Sequence, residues 1–133
     1  MNKMKTSIWL SAFLLFVGCS MGKSQQPKGI TSLSANEFAL VVANKGGQLL
    51  DVRTPEEFAE GHLQGAVLAN VRDSIAFEGA VLKLDTTKQV LVYCRSGKRS
   101  MHAAQILVNK GFSVINLKGG ITEWKDAGLL IVK

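Results

Sequence analysis

Cys94 opens the run Cys94-Arg95-Ser96-Gly97-Lys98-Arg99-Ser100 and directly follows the apolar stretch Val90-Leu91-Val92-Tyr93. A lone cysteine is ordinarily a small buried hydrophobe, but one followed by arginine, serine, glycine and lysine has the surroundings of a nucleophile. The apolar stretch predicts a buried strand, and Met101 to Lys110 reads as a helix. Cys94 is therefore expected between the end of a strand and the start of a helix. There, unpaired backbone N–H groups and the helix dipole favour a thiolate. Arg95, Lys98 and Arg99 add positive charge in the same direction.

The other cysteine is of a different kind. Lys3 and Lys5 precede the apolar segment Ile8 to Val17, interrupted only by Ser11, and Gly18-Cys19 follows. A charged start, a short apolar core and a small residue before the cut describe a secretory signal peptide. The segment falls short of the roughly 20 residues a membrane-spanning helix needs. Leu15-Phe16-Val17-Gly18-Cys19 resembles the lipobox of bacterial lipoproteins, although Phe16 stands where leucine is usual. The resemblance implies a signal peptide over residues 1–18 and lipidation of Cys19. It also implies a lipid anchor in the bacterial membrane, with the protein facing the periplasm or the cell exterior. Residues 19–29, polar with Pro27 and Gly29, read as a flexible tether. Acylation of Cys19 leaves Cys94 as the sole free thiol, which excludes an intrachain disulfide.

The net charge of +6 falls to +4 when Lys3 and Lys5 leave with the signal peptide. The bases are scattered except around Cys94, and no nucleic-acid recognition motif accompanies them. Small anions are the expected partners of the local positive charge. Two distant histidines and one usable cysteine are too few for a metal site, and no cofactor is expected.

Residues 30–133 must form the elements that hold the thiol in place. Ser34-Ala35-Asn36-Glu37 is a capping box that opens a helix through Phe38 and Val41, stopped by Lys45-Gly46-Gly47. Gln48 to Val52 reads as a strand, and Thr54-Pro55-Glu56-Glu57 starts a second helix that ends at Gly61. Ala66 to Ala69 reads as a strand and Ser74 to Leu84 as a weaker helix. Gln89 to Tyr93 is the central strand, Ser113 to Leu117 another, and Gly119-Gly120 leads into a short helix with Trp124. Leu129 to Val132 is expected as an edge strand. Alternating strands and helices predict an α/β fold with a parallel sheet covered on both faces. In such sheets ligands bind beyond the C-terminal ends of the strands, where both Asp51 and Cys94 fall.

Three segments carry a family resemblance. Leu50-Asp51-Val52-Arg53-Thr54-Pro55-Glu56-Glu57-Phe58, with Gly61-His62-Leu63 and Gly65-Ala66 after it, resembles the N-terminal signature of the rhodanese-like family. Cys94 to Ser100 resembles its active-site loop, and Leu117-Lys118-Gly119-Gly120 with Trp124 resembles its C-terminal signature. The motifs stand in the family's order and cover nearly everything after about residue 30. The resemblance implies a single rhodanese-like domain with a five-stranded, mostly parallel sheet. It further implies a sulfurtransferase in which Cys94 takes a sulfane sulfur from a donor such as thiosulfate, becomes a persulfide, and passes the sulfur on. The acceptor is then cyanide or a thiol, including a protein thiol. Arg95, Ser96, Gly97, Lys98, Arg99 and Ser100 are expected to bind the donor, and Asp51 with Arg53 to support the site as an ion pair.

The remaining polar residues read more plainly. Glu57 is expected as a helix cap and His62 as structural, while Ser100 serves equally well as a donor to the sulfur or as a helix N-cap. His102 is an unassigned candidate base, and Trp124 and Phe112 are expected in the core. A cysteine phosphatase or arsenate reductase needs five residues between Cys and Arg, and here only four separate Cys94 from Arg99. A persulfide carrier serving a protein partner and a redox-sensing thiol stay as alternatives from other classes.

Overall fold

The computed structural model describes residues 29–133. The expected signal peptide, the expected lipidation site Cys19 and most of the expected tether lie outside the described residues. In chain order the elements are β1 (Ile30–Leu33), α1 (Ala35–Ala43), β2 (Gln48–Asp51), α2 (Pro55–Glu60) and β3 (Val67–Leu68). They continue with α3 (Ser74–Val81), β4 (Val90–Tyr93), α4 (Lys98–Asn109), β5 (Val114–Leu117) and α5 (Gly120–Asp126). The strands form one sheet in the order β1-β5-β4-β2-β3, and every pairing is parallel.

Local chemistry starts the helices. The Ser34 hydroxyl accepts from the Glu37 N–H while the Glu37 carboxylate accepts from the Ser34 N–H. Thr54 and Glu57 repeat that exchange at α2, with Pro55 in the first turn. The Asp73 carboxylate accepts from the N–H groups of Ile75 and Ala76 and so caps α3. These reciprocal bonds satisfy N–H groups that have no partner within the helix.

Two apolar layers hold the sheet. Val90, Val92 and Cys94 point to one face, where they meet Phe77 and Val81 of α3 and Ala103, Ala104 and Leu107 of α4. Leu91 and Tyr93 point to the other, against Phe38 of α1 and Ile121 and Trp124 of α5. All four residues of β4 are buried, as a central parallel strand covered on both faces requires. Burying each such side chain stabilises the fold by about 1.5–3 kcal/mol. Among the described residues, no helix is long and apolar enough to cross a membrane.

Two sequence expectations need correction. The fifth strand is Ile30–Leu33 at the start of the fold, not Leu129–Val132. The latter segment makes only an isolated antiparallel bridge between Val132 and His62. Helix α4 begins at Lys98, three residues before the expected start, so Lys98, Arg99 and Ser100 belong to its first turn. From β2 the chain crosses to β3 on one side, and from β4 it crosses to β5 on the other. The ends of β2 and β4 thus form the topological switch point, where a crevice opens above a doubly wound sheet.

Candidate active site

Cys94 leaves β4 and is 1 % exposed. Its Sγ accepts a hydrogen bond from the Gly97 N–H at 3.1 Å. Burial pushes the thiol up, but bonds from the Ser100 hydroxyl and from the N–H groups of Ser100, Gly97 and Ser96 outweigh it, and its pKa falls below the ordinary value. The Ser100 Oγ also lies 3.0 Å from the Gly97 carbonyl, so its single proton serves one acceptor at a time. Helix α4 has no side-chain cap. The sulfur lies over that end and accepts from the Ser100 N–H, a donor that a capping side chain would otherwise satisfy. Ser100 is therefore not the N-cap; Gly97 is, at φ 104°. A side chain at position 97 would overlap the Lys118 carbonyl as well as strain the backbone.

The loop is held from outside by the start of α5. The N–H of Ile121 donates to the Cys94 carbonyl at 2.9 Å and that of Thr122 to the Arg95 carbonyl at 3.2 Å. With these carbonyls tied outward, the N–H groups that follow turn inward to the sulfur. Gly120, at φ 65°, makes the approach possible, because an added Cβ would overlap the Arg95 carbonyl and lie 2.6 Å from the Ser96 nitrogen.

The three cations of the loop divide. Arg99 is committed to Glu57 through two bonds of 2.7 and 2.8 Å. The Arg99 bond, against a smaller penalty from burial, lowers the Glu57 pKa to about 2. Arg95 and Lys98 are exposed and enter no ion pair among the described residues. Glu57 is a cap, and it is also the anchor of Arg99. That second role escapes sequence reading, because the partners lie 42 residues apart.

Asp51 and Arg53 form a buried pair. Arg53 Nη2 lies 2.6 Å from Asp51 Oδ2 and also donates to the Gly61 carbonyl at 2.7 Å. Tyr93, read from the sequence only as strand, completes the cluster by donating its hydroxyl to Asp51 Oδ2 at 2.6 Å and accepting from the Leu63 N–H. Burial first, and then the Asp51 charge, raise the Tyr93 phenol above its ordinary value. Burial opposes the Arg53 charge, but the bonds to Asp51 prevail and hold its pKa above the usual range. This network ties the end of β2 to the end of β4. His62 stacks on Phe58 with ring centroids 3.8 Å apart. His102 is exposed on α4, and Phe112 and Trp124 are buried.

A Rhodanese-like domain model matches residues 34–127, which include the loop and both segments that brace it. The chain belongs to the rhodanese-like family. The relatives of this rhodanese-like chain include a protein named Sulfurtransferase from Allochromatium vinosum, 38 % identical over 63 % of this chain and 77 % of that protein. The Thiosulfate sulfurtransferase GlpE of Shewanella oneidensis is 33 % identical over 71 % of this chain and 92 % of its own length. A rhodanese-related protein from Thermoplasma volcanium superimposes with a TM-score of 0.67 at 25 % identity, covering 77 % of this chain and 97 % of that one. A rhodanese-like domain protein from Staphylococcus aureus gives 0.66 at 27 % identity, covering 77 % and 99 %. The parallel five-stranded α/β architecture is that of the family, and the relatives' names place the chain among sulfurtransferase-like proteins.

Proposed function

We propose that this protein is a sulfurtransferase that carries a sulfane sulfur on Cys94. One observation bears most of the weight: the N–H groups of Ser96, Gly97 and Ser100 converge on the Cys94 sulfur and lower its pKa. A thiolate prepared in this way attacks without a separate base. With thiosulfate, the Cys94 thiolate forms a bond to the outer, sulfane sulfur. The sulfur–sulfur bond of thiosulfate breaks, its electron pair leaves with sulfite, and Cys94 retains a persulfide anion. In the second step an acceptor, cyanide or a thiolate, attacks the terminal sulfur and the Cys94 thiolate is the leaving group. The inward N–H groups stabilise negative charge in either state. Arg95 and Lys98, exposed beside the loop, attract the anionic donor.

The short loop supports this reading over phosphatase chemistry, since six residues from Cys94 to Arg99 make a small ring and Arg99 already holds Glu57. The lipobox-like segment ending in Cys19 supports a lipid-anchored protein exposed to the periplasm or the cell exterior. Mass spectrometry after thiosulfate treatment tests the chemistry. The expected outcome is one added sulfur on Cys94 with an equal amount of sulfite released, and none in Cys94→Ser, whose fold is unchanged. No adduct with any sulfane donor would overturn the reading.

A further inference from the structure

Strand β3 is short, and its shortness leaves a gap in the sheet. It pairs with Leu50 and Asp51 of β2, whereas Gln48 and Leu49 are in register with β4 alone. Successive residues of a parallel strand bond alternately to its two neighbours. Gln48 gives its N–H to the Gln89 carbonyl on the β4 side. The Leu49 N–H therefore turns to the open side, where it has no partner among the described residues. The Gly47 carbonyl likewise has none. A groove of about 880 Å³ lies along this gap, at the strand ends away from Cys94. That volume is within the range for ligand sites, roughly 300–1,000 Å³. Gly47 and Leu49 line it, between Val42 of α1 and Ala76 and Ala80 of α3.

The charges of the groove have one sign. Lys45 and Lys83 line it, exposed and in no ion pair among the described residues, and no acidic residue among them does. Gly79 also lines it, from the interior of α3, where glycine weakens a helix relative to alanine. A Cβ added at Gly79 would meet no atom within 4 Å, so packing within the fold does not require glycine there. What glycine does is keep that wall of the groove clear. The backbone decides between occupants. An alkyl chain would cover the Leu49 N–H and the Gly47 carbonyl without pairing either, which is costly. An extended peptide brings a donor and an acceptor with each residue. We propose that the groove takes an extended segment of a partner protein as an added strand in line with β3. Its apolar side chains lie between α1 and α3, and its acidic side chains meet Lys45 and Lys83. This docking site is separate from Cys94 and stands whether or not the thiol transfers sulfur.

The test titrates the ¹⁵N-labelled full chain with the capped peptide acetyl-Glu-Val-Thr-Val-Glu-amide, a strand-forming sequence with acidic ends. Saturable shifts are expected at Leu49, Val67, Gly79 and Lys83, with the Leu49 amide proton moving downfield as it gains an acceptor. A copy with lysine in place of both glutamates is expected to bind about tenfold more weakly, the worth of two exposed ion pairs. A copy N-methylated at its three central residues lacks the backbone donors and is expected to lose about the same factor. Gly79→Leu is expected to abolish binding without lowering the unfolding temperature, because leucine occupies the cleared wall and favours the helix. Equal affinity for the acidic, basic and N-methylated peptides overturns the proposal, as do shifts confined to other surfaces. Sodium decanoate shifting these amides where the peptide shifts none would assign the groove to an amphipathic anion. Concentration-dependent shifts of the same amides without peptide would assign it to a second copy of the chain, and either result overturns the proposal.

Discussion

Arg99 and Glu57 meet through two bonds of 2.7 and 2.8 Å, one from each terminal nitrogen of the guanidinium. The same Glu57 carboxylate accepts from the Thr54 N–H, so one side chain caps α2 and fixes the first turn of α4. The fork geometry matters here, because lysine could not make both bonds. It also decides what Arg99 does: tied to Glu57, it fixes the first turn of the helix that follows Cys94. The consequence for acid stability has a definite sign. The Glu57 pKa is lowered from 4.5 to about 2 in the folded state. Its contribution is fully present above about pH 4.5 and is lost as the pH falls through about 2. The Glu57 side chain is 26 % exposed, and with solvent screening the effect is about 1–2 kcal/mol. Thermal unfolding followed from pH 5 to pH 2 should therefore show a shallower decline in Glu57→Gln than in the parent. Equal slopes would mean that the pair adds nothing to stability.

At the scale of elements, α5 shapes the site without supplying a reacting group. Its first N–H groups take the carbonyls of Cys94 and Arg95, which leaves the inner side of the loop to amide donors. Gly120→Ala forces a side chain against the Arg95 carbonyl at a positive φ. The expected cost is about 2–4 kcal/mol of stability, with a larger proportional loss of sulfur loading on Cys94 than Leu107→Ala shows at similar stability. Chemical denaturation paired with the mass-spectrometric loading assay measures both; equal loading in the two variants would remove the positioning role. What sequence could reveal follows the same division. Ser34 and Thr54 announce α1 and α2 because a capping box closes within four residues. The start of α4 gives no such signal, since its N-cap, Gly97, has no side chain to close a box and its first turn, Lys98-Arg99-Ser100, is polar. Strand β1 is obscured because Thr31 and Ser32 lie exposed on an edge, whereas the more apolar Leu129–Val132 looks like a strand and is not. The Tyr93–Asp51 and Arg99–Glu57 contacts each span 42 residues, and only the pairing of β2 with β4 brings them together.

Across the whole molecule, parallel strands give the domain two unlike ends. The Gly29 carbonyl accepts from the Val114 N–H where β1 and β5 begin, so the chain enters at the end where strands start. Cys94 and Asp51 lie at the other end, a strand length of roughly 13 Å away. From Cys19 to Gly29 the chain can extend at most about 36 Å. An acylated Cys19 would thus hold the domain within a few nanometres of the bilayer, attached through the end of the sheet opposite Cys94. Such an attachment would set where the protein works but not how it works, because none of the bonds that lower the Cys94 pKa involves the N-terminal end. Cys19→Ser is expected to move the protein from the membrane fraction to the soluble fraction while the rate of sulfur loading per molecule stays the same. Fractionation followed by the sulfite-release assay reads both quantities. Retention of Cys19→Ser in a washed membrane pellet would exclude the thioether-linked anchor, and a fall in loading rate would show that the tether reaches the catalytic end.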